Sequence, residues 1–206
     1  MNAILFDLDG TLWDACATMV DSWNHTLTTE FPDLHRTVTL SDLEGVMGKT
    51  MPEIAAIFFP DAPMERGIAA VAAACENEVP VLAAKGGTLY PGVAEGLRKL
   101  CKTHRVGIVS NCQCGYIEAF LTAHNLADCV HGFLCEGMTH RTKGENIRQL
   151  MAQLGVDTAT YVGDTRGDEA AARAAGVPFI HVTYGFGEAQ APDATAHSFD
   201  ELFQLL

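Results

Sequence analysis

The stretch Ala3-Ile4-Leu5-Phe6-Asp7-Leu8-Asp9-Gly10-Thr11 decides the fold of this chain. Its first residues are apolar without alternation, which marks a strand buried on both faces, as in a parallel sheet covered by helices. Gly10 ends the strand. Asp7 and Asp9 therefore fall at its C-terminal edge. Clustered carboxylates repel unless a cation offsets them, and hard oxygen ligands suit Mg²⁺. One carboxylate can then attack an electrophile while the other moves a proton. Taken alone, the run reads equally well as a strand followed by a polar turn.

Three further segments add to that reading. Val106-Gly107-Ile108-Val109 is a second apolar strand and ends in Ser110-Asn111. Tyr161-Val162 is another and ends in Gly163-Asp164, with Asp168 just beyond. Between them Thr142-Lys143-Gly144-Glu145 has the form of a helix start. An acid pair, a hydroxyl–amide pair, a lysine and a second acid pair thus recur in order at element ends. In open parallel sheets the ligand crevice lies at the carboxyl ends of the strands.

At these residues the chain resembles the haloacid dehalogenase superfamily of phosphohydrolases. Tyr90-Pro91-Gly92-Val93 and Gly176-Val177-Pro178 are similar to its small cap-bearing members. The resemblance covers nearly the whole chain. It implies an α/β fold: a Rossmann-like parallel sheet core with an inserted helical cap. It implies Asp7 as nucleophile, forming an aspartyl-phosphate, and Asp9 as the acid that protonates the leaving oxygen and then activates water. Mg²⁺ would be held by the Asp7 carboxylate, the Asp9 backbone carbonyl and Asp164. Asp168 joins that acidic group and orients metal-bound water or Lys143. Gly10 permits a tight turn, and Thr11 bonds phosphate or caps that turn. Ser110 and the Asn111 backbone grip phosphate oxygens, and Lys143 offsets the charge that builds there.

The alternation of strands and helical patterns breaks after Thr11. Helix follows helix from about residue 14 to residue 85, with no strand pattern. Val20, Trp23 and Leu27 keep helical spacing, and Ser41-Asp42-Leu43-Glu44 and Thr50-Met51-Pro52-Glu53 have the form of capping boxes. Ile68, Val71, Cys75, Val79 and Leu82 form one long apolar row, which Pro80 is expected to break or kink before Gly86-Gly87 ends it. Residues 15–85 are expected to be the helical cap, and residues 1–14 with 86–206 the catalytic core. The crossings at Trp13-Asp14 and Gly86-Gly87 are the expected hinges. Within the cap, the glycine-punctuated Gly45-Val46-Met47-Gly48-Lys49 is a loop that could carry Lys49 to the substrate. Trp13 is either core or lining of the crevice.

With 206 residues, 48% of them hydrophobic, the chain can bury one substantial core, or a core and a small insertion. Its net charge of −13 argues against nucleic acid as a partner, though not against a phosphorylated small molecule next to a metal. None of the seven cysteines forms a C-x-x-C pair, which argues against zinc. Cys112-Gln113-Cys114 reads as small residues at a helix start, with a redox-sensitive thiol as the other reading. Free thiols in this number, no signal peptide and no expected membrane span point to the cytoplasm. A monomer or weak homodimer is expected, though no residue pattern fixes the oligomeric state. The rival function is a phosphomutase of the β-phosphoglucomutase kind, which would share every core residue named. A dehalogenase or phosphonate hydrolase fits less well, because Asp9 is acidic. A phospho-acceptor receiver module needs neither a cap nor a second acid.

Overall fold

The computed structural model describes residues 2–206. The chain begins with β1 (Ala3–Phe6) and the short β2 (Trp13–Asp14). The helices α1 (Cys16–Glu30), α2 (Leu40–Glu44), α3 (Met51–Phe58) and α4 (Met64–Lys85) follow, and β3 (Thr88–Leu89) comes next. Then come α5 (Val93–Leu100), β4 (Arg105–Ser110), α6 (Tyr116–His124), β5 (Gly132–Cys135) and the single turn α7 (Glu136–Thr139). The remainder is α8 (Lys143–Leu154), β6 (Ala159–Gly163), α9 (Arg166–Ala175), β7 (Phe179–Val182), β8 (Ala194–Ala196) and α10 (Leu202–Leu205).

Six strands form a parallel sheet in the order β5-β4-β1-β6-β7-β8. Ile4 and Phe6 of β1 pack into one apolar cluster and Ala3 and Leu5 into another, so the strand is buried on both faces as its composition requires. Register places the chemistry. Phe6 lies opposite Ile108 on one side and Val162 on the other. Asp7, Ser110 and Asp164 therefore leave three adjacent strands at the same edge.

Among the described residues no strand interrupts the run from α1 to α4. Strand β2 pairs antiparallel with β3, Trp13 opposite Leu89 and Asp14 opposite Thr88. The chain thus enters and leaves the helical stretch through one two-stranded tie. Helix α3 starts with the expected box, Thr50 and Glu53 exchanging hydrogen bonds around Pro52. Helix α2 starts elsewhere than expected. Its box is Thr39 with Asp42, not Ser41 with Glu44, because Thr39 holds the extended conformation an N-cap needs.

Helix α4 corrects two expectations. It is not broken at Pro80 and runs on to Lys85. Proline deletes one intrahelical bond, but α4 packs along α1, α3 and α6, and that packing holds it. It is also long and apolar enough, by length and composition, to cross a membrane, against the expectation that no stretch is. In this fold it carries the buried row Gly67, Ala70, Val71, Ala74, Cys75, Glu78 and Leu82.

Candidate active site

Two capping boxes fix the buried charges. Thr142 and Glu145 open α8 and set Lys143 at its first position. Thr165 and Asp168 open α9. Lys143 Nζ then donates to Asp7 Oδ1 at 2.9 Å and to Asp168 Oδ1 at 2.7 Å. The other Asp168 oxygen accepts from the Thr165 amide at 3.0 Å and its hydroxyl at 2.6 Å. Both oxygens of Asp168 are thus engaged within the protein, and its contact with the reaction centre runs through Lys143. All three side chains are buried.

Asp164 lies beside them. Its Oδ2 accepts from the Phe186 amide at 2.7 Å, while its Oδ1 is buried without a hydrogen-bond partner. Gly10, at φ +79°, passes so close that any Cβ there would collide with Asp164 Oδ2. Oxygens of Asp7, Asp164 and Asp168 lie within 4.8 Å of one another, with Lys143 as the cation among them. Asp7 and Asp164 both lie above the ordinary carboxylate range, first through burial and then through their negative neighbours. Burial, helped by Asp168, pushes Asp7 up to about 7. Burial, again helped by Asp168, pushes Asp164 up to about 7. Burial works against the Lys143 charge, but Asp168 and Asp7 outweigh it and hold the ammonium well above its ordinary value. A buried orphan carboxylate oxygen beside a second acid is what a hard divalent cation would satisfy, so these residues fit a metal.

Asp9 is held by two other groups. Its Oδ1 accepts from the Trp13 indole at 2.9 Å and from the Tyr116 hydroxyl at 2.8 Å. Burial pushes Asp9 up to about 7, with the Tyr116 bond opposing. Trp13 is fully buried, packs edge-on against Tyr116 and Phe120 and is not among the residues that line the crevice, so of its two readings the core one holds; its indole also bonds Asp9.

One crevice lies between the sheet edge and the helical stretch. Asp7, Asp9, Ser110, Asn111 and Lys49 all line it. Asn111 Nδ2 donates to the Gly48 carbonyl at 3.0 Å, so the core holds the loop that carries Lys49, itself exposed. Thr11 does not line this crevice. Its carbonyl accepts from Tyr184, while its hydroxyl is buried and unbonded and so caps no turn. His181, unplaced by the sequence, has Nε2 3.0 Å from the Asp164 carbonyl. Burial pushes the Cys112 thiol well up, which disfavours a reactive thiolate.

Sequence reasoning did not single out Tyr116, the hydroxyl partner of Asp9. It also missed Glu78. That residue falls one turn past Cys75 in the apolar row of α4, and a carboxylate in such a row was the available signal.

The family model of the haloacid dehalogenase-like hydrolases matches residues 4–182 of this chain. The chain belongs to that family. This haloacid dehalogenase-like hydrolase is a phosphatase, as its curated relatives indicate. It is 29% identical to a plasmid-encoded phosphoglycolate phosphatase of Cupriavidus necator, over all of this chain and 93% of that one. It is 30% identical to a phosphoglycolate phosphatase of Synechococcus elongatus, over all of this chain and 97% of that one. Among solved structures, a haloacid dehalogenase-like hydrolase of Bacteroides fragilis matches with a TM-score of 0.82 at 25% identity, over 99% of each chain. The sequence-level resemblance and the α/β core with its helical insertion agree with these matches.

Proposed function

We propose that this hydrolase is a Mg²⁺-dependent phosphatase that acts on small phosphate monoesters through an aspartyl-phosphate. The observation that carries the reading is the buried Asp7–Lys143–Asp168 chain beside the orphan oxygen of Asp164. Asp7 and Asp164, with the Asp9 backbone carbonyl, would hold the cation, which neutralises phosphoryl oxygens during transfer.

The residues divide the work. Asp7 attacks phosphorus, a bond to its carboxylate forms, and the ester bond to the leaving oxygen breaks. Asp9 gives that oxygen a proton. It then takes a proton from water, which attacks phosphorus and releases inorganic phosphate and free Asp7. An acid with a pKa near 7 can serve in both steps at neutral pH. Tyr116 and Trp13 aim its carboxyl. Lys143 holds Asp7 in place and offsets charge on the transferring group, and Asp168 fixes Lys143. Ser110 and the Asn111 backbone bind phosphate oxygens, Lys49 meets the substrate from the loop, and Gly10 makes room for Asp164. Residues 15–85 act as a cap over a core of residues 1–14 and 86–206. Curated relatives that hydrolyse a small phosphorylated acid support this class of substrate.

The test is hydrolysis of p-nitrophenyl phosphate with Mg²⁺ and with excess EDTA, together with intact-mass analysis of Asp9→Asn after mixing with substrate. The reading requires chelator-sensitive turnover and a phosphoryl adduct on the variant. Full activity in EDTA, or no adduct, refutes it.

A further inference from the structure

The crevice has a second polar wall that the phosphoryl chemistry does not use. Glu78, on α4, is only 1% exposed yet lines the crevice with Asp9. Its Oε2 accepts the Trp23 indole N–H, and its Oε1 accepts from Gln113 Nε2 at 2.8 Å. The same Gln113 nitrogen donates to the Cys75 carbonyl at 2.7 Å. Turning that amide over would set its oxygen against a carboxylate and a carbonyl, so its orientation is fixed. Tyr116 gives its hydroxyl hydrogen to Asp9.

The hydrogen-bond inventory of this wall is therefore one-sided. The donors of Trp23, Gln113 and Tyr116 are all spent inside the protein. What remains once Glu78 is ionised is acceptor capacity: its further lone pairs, and Gln113 Oε1, which accepts no hydrogen bond among the described residues. No lysine, arginine or histidine pairs with Glu78 among those residues, and the charged group that bears on it is Asp9, another acid. Burial with no cation beside it pushes Glu78 up to about 8, against the Trp23 and Gln113 bonds. Asp9 is also the group placed to protonate the leaving oxygen, so this wall faces the leaving group. Lys49 lines the same crevice from the loop tied to Asn111, and its charge bears on Glu53 rather than on Glu78.

We propose that Glu78 and Gln113 form a specificity subsite for hydrogen-bond-donating groups, hydroxyl or ammonium, at the end of the substrate away from its phosphate. The proposal rests on the phosphatase reading and narrows it to phosphorylated polyols or amino alcohols. A carboxylate at that end would be set against a buried acid and a carbonyl oxygen, which costs free energy in any protonation state that leaves Glu78 charged. Phosphoglycolate, the substrate in the names of the curated relatives, is by this argument a poor fit.

Four esters decide it, each assayed with Mg²⁺ above pH 8, where Glu78 is ionised: glycerol phosphate, O-phosphoethanolamine, phosphoglycolate, and phenyl phosphate, whose ring donates nothing. The wild-type enzyme is expected to favour one of the first two over phosphoglycolate by about tenfold or more in kcat/KM, since a charged hydrogen bond carries about that much. The hydroxyl and ammonium esters separate the two sources of donor. Glu78→Gln is expected to cost the favoured ester about tenfold, mainly in KM, to cost phenyl phosphate less, and to narrow the gap to phosphoglycolate. Phosphoglycolate as the best ester, or equal loss on all four, overturns the subsite. Should the variant not fold, the wild-type ranking decides alone. If none of the four esters and no p-nitrophenyl phosphate is hydrolysed, the phosphatase reading fails, and the subsite with it.

Discussion

Asp7 and Asp9 stand two residues apart yet meet different partners, and this difference supports the roles proposed for them. Asp7 is bonded by Lys143, a fixed cation, and suits a nucleophile that must stay ionised once a metal is present. Asp9 is bonded by two neutral donors, Tyr116 and Trp13, and suits a group that gains and loses a proton. Asp7→Asn should abolish turnover. Asp9→Asn should slow release far more than phosphorylation, with an overall loss of about 10²–10⁴-fold. Steady-state and single-turnover rates on p-nitrophenyl phosphate check this, and near-wild-type turnover by both variants would contradict it. The same acids link metal binding to pH. Asp7 and Asp164 rise from an ordinary 3.8 to about 7 in the folded protein without metal, so the folded state holds protons that the unfolded chain releases. Their contribution to stability is present below about 4 and is lost as pH rises through about 7. A cation replaces those protons. The rise in Tm on adding Mg²⁺ should therefore be clearly larger at pH 7.5 than at pH 5 by differential scanning fluorimetry. Equal shifts at the two pH values would count against a metal at these acids.

The elements reach the site through strand ends and helix starts, and there the sequence was most legible. Buried parallel strands are uninterrupted apolar runs, so β1, β4 and β6 stood out, and the residues after them followed. The boxes of α3 and α8 were legible because only one hydroxyl–carboxylate pair fitted each start. At α2 two such pairs overlapped, and spacing alone could not choose Thr39 over Ser41. Strand β8, at Ala194–Ala196, was too short to show any period. Glu78 was hidden for another reason: its partners Gln113 and Trp23 lie 35 and 55 residues away, so no local pattern announces them. One consequence of element packing is testable at Gly163. A Cβ there would lie 2.5 Å from the Asp168 Cβ, at the join of β6 and α9. Gly163→Ala should push α9 and Asp168 away and loosen Lys143. The expected result is a loss of about 1–3 kcal/mol in unfolding free energy, as for overpacked cores, with at least a tenfold fall in kcat. Urea denaturation with a parallel rate measurement tests both, and unchanged kcat would mean that Asp168 does not position Lys143.

Across the whole molecule, the helical stretch packs on the core through α4 against α6, and two kinds of hydrogen-bonded link join it besides. The β2–β3 tie is backbone pairing at the place where the chain crosses twice. The others cross the crevice: Asn111 to the Gly48 carbonyl, and Gln113 to Cys75 and Glu78. A substrate must enter where these second links lie, so they have to open while the tie endures. We propose that the helices swing as a unit about Trp13-Asp14 and Gly86-Gly87, and that closure over substrate would shut out bulk water during transfer. Under this proposal Lys49 would move with the unit and reach the part of the substrate that a bare phosphate ester lacks. Lys49→Ala should accordingly raise KM for the ester the enzyme prefers several-fold, with kcat little changed. The rise for phenyl phosphate should be much smaller, because that compound engages the core alone. Both KM values are read from initial rates at saturating Mg²⁺. An equal rise for the two esters would place Lys49 as a general attractor of phosphate at the mouth, and the cap's selection of substrate would then fall to the wall built by Glu78.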